Sequence, residues 1–253
     1  MASKLSVSLL LVAYDRAPLL RNTLATIPMQ TRQPDQIVVV EDGNDGGKTE
    51  AVCAEFRAQG LPIEYICRRN RPNVPYSNSA IPKNIGIRHC TGDIIIIQCA
   101  EVKYTTPNDI HAIVEPVEED PNLSMFAPCQ ALDENGNFKV WYGDPQFRAF
   151  LGFCHAVRRD RVVAIGGFDE NFVGYGREDD DFSWRLHVSG ITYKWAENCL
   201  VQHQWHVVKP SPNDTENDRR NAEYGGQQIE AYHRFKTRGL ESNVGKNWGD
   251  LSS

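Results

Sequence analysis

Residues 5–43 read LSVSLLLVAYDRAPLLRNTLATIPMQTRQPDQIVVVEDG, and this stretch decides the fold. Leu5–Ala13 is apolar and β-prone, as a strand buried on both faces must be. Tyr14, Asp15 and Arg16 end it. Ala17–Ile27 then carries apolar residues at helical spacing, with Pro18 placed where a helix tolerates proline, in its first turn. Pro34 and Asp35 mark a turn, and Gln36–Val40 is a second apolar strand that stops at Glu41, Asp42 and Gly43. Strand, helix, strand in this order predicts a right-handed parallel crossover.

The alternation continues outward. Lys48–Gln59 reads as a helix, Ile63–Cys67 as a strand, 68–82 as an irregular proline-rich loop and Lys83–His89 as a short helix. Ile94–Gln98 contains four consecutive isoleucines, a pattern that suits only a central strand covered on both faces. The expected class is therefore α/β, an open, doubly wound, mostly parallel sheet with helices on both faces. Beyond it come a helix (Asn108–Val117), a strand (Leu123–Pro128), a turn (Asp133–Asn137), an apolar segment (147–157) and two short strands (Ile191–Trp195 and Cys199–His203). From residue 209 the composition turns polar, which predicts a mobile loop, a weak helix (218–236) and a frayed tail.

A chain of 253 residues with 41% hydrophobic content can bury one large core. Its net charge of -6 argues against a protein that coats nucleic acid or an anionic membrane. Seven cysteines without paired spacing indicate neither a zinc ribbon nor a disulfide framework, and scattered thiols fit a cytoplasmic protein. No run reaches transmembrane length, so no integral membrane segment is expected.

Ligands of doubly wound sheets lie beyond the carboxyl ends of the strands. That directs attention to Tyr14–Arg16, Glu41–Gly43 and Cys99–Glu101. A second focus is Gly166–Leu186, GGFDENFVGYGREDDDFSWRL, where four acids (Glu178, Asp179, Asp180, Asp181) follow a glycine-rich turn. One or two acids suffice to complement a helix start; four adjacent carboxylates point to a site that handles cations, hydroxyls or protons.

Four segments resemble family 2 glycosyltransferases of the GT-A, Rossmann-like fold. They are VSLLLVAYDRAPLLRNTLATI (7–27), QIVVVEDGNDGG (36–47), PKNIGIRHCTGDIIIIQCAE (82–101) and GGFDENFVGYGREDDDFSWRLHVSG (166–190), the last like the acceptor-side motif of β-1,4-galactosyltransferases. The resemblance implies a GT-A domain over 1–206, with a nucleotide-sugar half (1–104) and an acceptor half (105–206), followed by a polar lid or tail (207–253). It implies an inverting transfer of a hexose from a nucleotide diphosphate sugar, a UDP-sugar for preference, to an acceptor hydroxyl.

Carried over by position, Asp179 is the general base, with Glu178 and Asp180 orienting it or the acceptor. Tyr14, Arg16, Asp42, Arg69, Arg71, Lys83 and Asn84 are the donor-binding candidates. Tyr175, Gly176 and Trp141 are those for the acceptor, a glycan or another hydroxyl-bearing molecule, a modified nucleic-acid base included. Where the family has Asp-x-Asp, this chain has Cys99-Ala100-Glu101. Glu101 remains as a metal ligand, and His203 of VQHQWH (201–206) completes the site ahead of His206. An imidazole ligand favours Mn²⁺ over Mg²⁺. Cys99 keeps one alternative open, a decayed GT-A protein that binds nucleotide sugar or glycan without transfer. A nucleotidyltransferase would need a glycine-rich basic loop after the first strand, and a dinucleotide-binding dehydrogenase a G-x-G-x-x-G there; neither is present.

Overall fold

The computed structural model describes residues 4–69, 78–143, 153–174, 176–207, 214–230 and 239–251. In chain order the first half comprises β1 (Val7–Ala13), α1 (Ala17–Leu24), β2 (Gln36–Glu41), α2 (Lys48–Ala58), β3 (Ile63–Cys67), α3 (Ala80–His89) and β4 (Ile94–Cys99). There follow β5 (Val102–Tyr104), α4 (Asp109–Glu119), β6 (Leu123–Phe126), β7 (Cys129–Leu132), β8 (Phe138–Tyr142), β9 (Cys154–Arg158) and α5 (Arg159–Ala164). The chain then forms α6 (Glu178–Val188), β10 (Thr192–Trp195), β11 (Val201–His203) and α7 (Asp214–Glu230).

Seven strands form the main sheet in the order β10-β6-β9-β4-β1-β2-β3. Its pairs are parallel except those made by β9, which runs antiparallel to both β4 and β6. The isoleucine strand β4 lies between β1 and β9, central as its composition requires. Alternate residues of the inner strands go to opposite faces. Leu9, Leu11, Ile37, Val39, Ile94 and Ile96 meet α1, α2 and α4 in one cluster. Leu10, Val38, Val40, Ile95 and Ile97 meet α3, α5 and α6 in another. The doubly wound sandwich is thus built by the two-residue period of the strands themselves.

A second sheet of four short strands, β5-β11-β7-β8, stands beyond the carboxyl end of β4. Among its members, sequence reading anticipated β11 and the turn that joins β7 to β8, closed by Asp133 N–H donating to Asn137 O (2.8 Å). Strands β5, β7 and β8 went unpredicted because three to five residues carry too little alternation to register.

The chain end also departs from expectation. Residues 239–251 are not a frayed tail: Ser242, Asn243 and Trp248 are buried, and the Ser242 N–H donates to Ile165 O at 2.9 Å. All seven cysteines are thiols. No helix of the described residues is long and apolar enough to cross a membrane.

Candidate active site at the carboxyl ends of the strands

After β4 the chain reverses into β5, which pairs antiparallel with β11, with Val102 opposite His203. This pairing brings Glu101 to the end of β11, across about a hundred residues of sequence. Glu101 Oε1 lies 3.6 Å from His203 Nε2 and 3.3 Å from His206 Nε2. One ligand atom from each residue falls within 4.8 Å of the others, the one such His/Cys/Asp/Glu group among the described residues. Gln204 shapes the bend between the histidines. Its backbone N–H donates to Glu101 O (3.0 Å), and its side chain donates to Leu19 O (3.1 Å) and accepts from Asn22 Nδ2 (2.7 Å). The ring of Phe153 braces His203 edge-on at 5.1 Å.

Burial pushes the Glu101 carboxyl up, but the hydrogen bonds and charges of His203 and His206 outweigh it and hold the group well below the usual carboxylate range. One ionised carboxylate with two imidazoles is a donor set that fits a divalent cation. Sequence reading ranked His206 below His203; the structure puts both on Glu101. Cys99 is not in this group. Burial above all, then the Glu101 charge, raises its thiol well above the ordinary range and keeps it neutral.

The four acids of α6 separate into four environments. Glu178 is buried and accepts from Ser79 Oγ (2.5 Å), Asn78 Nδ2 (3.3 Å) and Lys83 Nζ (3.4 Å). Asp179 is 34% exposed and its Oδ1 meets Lys83 Nζ at 2.5 Å. Asp180 is exposed and faces Arg177 at 3.6 Å. Asp181 is buried in an ion pair with Arg185 Nε (2.7 Å), and Arg185 in turn donates to Ile165 O (2.8 Å). Among the four, Asp179 combines a buried cationic partner, Lys83, with partial access to solvent, whereas the partner of Asp180 is itself exposed. Burial, aided by the Glu178 charge, pushes the Asp179 carboxyl up to about 6 against the pull of Lys83. Helix α6 starts at Arg177 in the left-handed region (φ 75°), a strain of the kind that gathers at functional sites.

On the other side of the strand ends, Tyr14 lines a cleft of about 270 Å³ with Asp15, Glu41, Asn44, Asp45 and Lys48. Burial raises Glu41 to about 7, opposed by hydrogen bonds from the Asp15 N–H and the Thr49 hydroxyl. Arg16, at the start of α1, reaches the metal-type triad, its guanidinium 3.2 Å from His206 Nδ1. Asp42 pairs with Arg68 at 3.1 Å, both side chains under a tenth exposed. Arg68 is the arginine that sequence reading overlooked in favour of its neighbours. Arg69 is exposed; Arg71 and Tyr175 lie outside the described residues. Breaking a buried pair strands a charge, which costs about 3–5 kcal/mol. Arg68→Ala is therefore expected to lower unfolding free energy by that order in a guanidinium titration; a change under about 1 kcal/mol would contradict the pair's structural weight.

Three of the candidate residues meet other parts of the protein. Lys83 was assigned to the donor, but it lies against Glu178 and Asp179 because α3 packs beside the start of α6. Asn84, also assigned to the donor, is fully buried. Its amide donates to Phe168 O (2.8 Å) and Glu170 Oε1 (2.9 Å) and accepts from the Phe168 N–H (2.8 Å), so it anchors the loop before α6. Trp141 stands in register with Gln130 and Gln130 with Gln202, whereas His203 pairs with Ala131. Residues opposite one another share a face, so Trp141 is on the other face of the small sheet from His203. Gly176 does border the acidic helix, its carbonyl accepting from Asn221 Nδ2 of α7 at 3.0 Å.

Comparison with known proteins converges on one family. The model of glycosyl transferase family 2 matches residues 8–150, and that described as the N-terminal domain of galactosyltransferase matches residues 137–208. Chondroitin synthase of Escherichia coli is 22% identical over 84% of this chain and 36% of its own length. Hyaluronan synthase of Pasteurella multocida is 22% identical over 84% of this chain and 25% of its own. The chain thus spans about a third or less of these relatives. Among solved structures, GalNAc-T7 with UDP, GalNAc and Mn²⁺ superposes with a TM-score of 0.70 at 15% identity, covering 96% of this chain and 53% of that one. The mannosyltransferase PcManGT of Pyrobaculum calidifontis, with GDP-Man and Mn²⁺, gives 0.62 at 16% identity over 94% of this chain and 66% of that one. At such identities these structures establish the fold alone.

Proposed function

The chain belongs to glycosyl transferase family 2, and from that premise we propose that it is an inverting glycosyltransferase moving a hexose from a UDP-sugar to an acceptor hydroxyl. One observation carries the reading. The same end of the sheet presents a Glu-His-His triad and, at Asp179, a carboxylate 34% exposed whose Oδ1 is held by Lys83.

A sugar hydroxyl is a weak nucleophile at neutral pH and needs a base as it attacks. Asp179 takes the hydroxyl proton while the acceptor oxygen forms its bond to the anomeric carbon. The bond from that carbon to the donor diphosphate breaks, and its electron pair leaves on the phosphate oxygen. A single displacement inverts the centre. Lys83 holds Asp179 in place, and buried Glu178 keeps Lys83 there. Arg16, beside His206, receives the diphosphate; Tyr14 stacks on the base, and the Asp42 carboxylate, fixed by Arg68, accepts its imide N–H. Glu101, His203 and His206 would hold a divalent cation, Mn²⁺ by their chemistry, which supplies Lewis-acid stabilisation of the departing diphosphate. Gly176, at the start of the acidic helix, borders the acceptor.

The direct test is nucleotide release from a panel of UDP-, GDP- and dTDP-sugars with Mn²⁺, Mg²⁺ or EDTA. Release confined to a UDP-sugar supports the proposal; silence with every donor, beside intact nucleotide binding, would favour a binding protein on this fold instead.

The acid limb of the rate follows from Asp179. A base must be ionised to accept a proton, so with its carboxyl raised to about 6 the rate should fall about tenfold for each pH unit below that value. At saturating Mn²⁺, with metal binding followed separately, a kcat/KM profile flat down to pH 4.5 would exclude Asp179 as the base.

A further inference from the structure

We propose that Asn243, in the C-terminal segment, is a positioning residue for the transfer step, acting through Phe168 on Lys83 and hence on Asp179. The inference rests on the transferase reading given above for that cluster.

The loop that enters the catalytic helix is unusual in its backbone. Gly166 and Gly167 both adopt positive φ (72° and 66°), which leaves their carbonyls and that of Phe168 turned away from regular secondary structure. Asn243 satisfies two of them, and the Ser242 hydroxyl donates to the third, Gly167 O, at 3.3 Å. The Asn243 Nδ2 donates to Gly166 O (2.9 Å) and Phe168 O (2.7 Å), and its Oδ1 accepts from the Glu170 N–H (3.1 Å). Asn243 itself sits at φ 57°, a conformation that asparagine tolerates better than most residues with a Cβ. Ser242 adds its hydroxyl to Gly166 O at 3.0 Å. The fit has no slack: a Cβ on Gly166 would meet Ser242 O at 2.3 Å, and one on Gly167 would meet Asn84 Oδ1 at 2.4 Å.

What this clasp fixes is the ring of Phe168. That ring stacks on Phe182 of α6 (centroids 4.0 Å apart, planes 8° apart). Its other partner is the Lys83 ammonium, 4.6 Å from the centroid, at a distance where the ring quadrupole attracts a cation. Lys83 therefore has three contacts, the Phe168 ring, Glu178 and Asp179. Two of these partners belong to α6 and the third to the clasped loop. If the loop loosens, the ring moves and the ammonium loses the contact that sets its height over Asp179. Asn243 touches no reacting atom; it sets where the base is held.

Asn243→Gly tests this, since glycine keeps the positive φ and removes only the side-chain bonds. Asn243→Asp is the second variant, nearly isosteric but unable to donate to the two carbonyls. The first readout needs no turnover. Protons on the ε carbon of Lys83 should be shifted upfield by the Phe168 ring in the wild type and move toward ordinary lysine positions in both variants. The second is kinetic: kcat lower by about 10-fold or more, KM for the donor within about 2-fold, and the acid limb moved upward because Asp179 loses cationic stabilisation. An unchanged Lys83 resonance in a folded Asn243→Gly protein overturns the proposal, as does lost thermal stability with kcat and acid limb unaltered. If the wild type turns over no donor, the transferase reading fails, and the Lys83 resonance still decides whether Asn243 positions the lysine.

Discussion

Asp179→Asn is expected to lower transfer by about 10²–10⁴-fold, the range that a positioned general base contributes, while leaving nucleotide binding within about 2-fold. The substitution keeps the shape and the contact with Lys83 Nζ at Oδ1, but an amide cannot take the acceptor's proton. The neighbouring acids supply the controls. Asp181→Asn breaks a buried ion pair with Arg185, so its effect should appear in stability; Asp180→Asn alters an exposed carboxylate and should cost far less in rate than Asp179→Asn. Comparing single-turnover rates of the three variants on the donor found in the panel, with binding by calorimetry, checks the assignment. Equal losses at Asp179 and Asp180 would move the base to a different carboxylate or to none of them.

The second large effect is expected at His206. Removing a ligand takes away direct coordination, and even outer partners of metal ligands are worth about 10–100-fold in affinity. His206→Ala should therefore weaken Mn²⁺ binding by more than about 100-fold, as much as His203→Ala does. Glu101→Gln should do the same by removing the charge. Calorimetric Mn²⁺ titration of each variant, with and without UDP, reads this directly. An unaltered Mn²⁺ isotherm in His206→Ala would reduce the site to Glu101 and His203, the pair chosen from sequence. The Arg16 guanidinium lies at 3.2 Å from His206 Nδ1, so the variant should also change the electrostatic surroundings of the diphosphate, visible as weaker UDP binding with Mn²⁺ present.

Both experiments turn on choices among adjacent residues, where the sequence was least decisive. EDDD announces an acidic site but not which acid is reachable, because the answer depends on what each turn of α6 packs against. Asp181 meets Arg185 on its own helix, whereas Glu178 and Asp179 meet Lys83 from α3, almost a hundred residues earlier. Likewise QHQWH offers two histidines. That both reach Glu101 follows from the bend held by Gln204, whose partners Leu19 and Asn22 belong to α1. The basic run after β3 was recognised as a donor feature, yet only burial shows that Arg68 is the one facing Asp42.

The sequence by itself determined the doubly wound sheet, the strands and helices of its first half and the three strand ends where a ligand was to be sought. It could do so because side-chain alternation and helical spacing are local, and each element states which faces it must bury. Its resemblance to the family also marked Asp179, Glu101 and His203 as candidates. The tertiary structure alone decided the small second sheet, the approach of His206 to Glu101, the packing of Lys83 and Asn84 against α6 and the loop before it, and the docking of Ser242, Asn243 and Trp248. Each of these is a meeting between segments distant in the chain, often by some eighty to a hundred residues or more. Such meetings are set by how loops close and which polar groups find partners on burial, and no periodicity within either segment records the other.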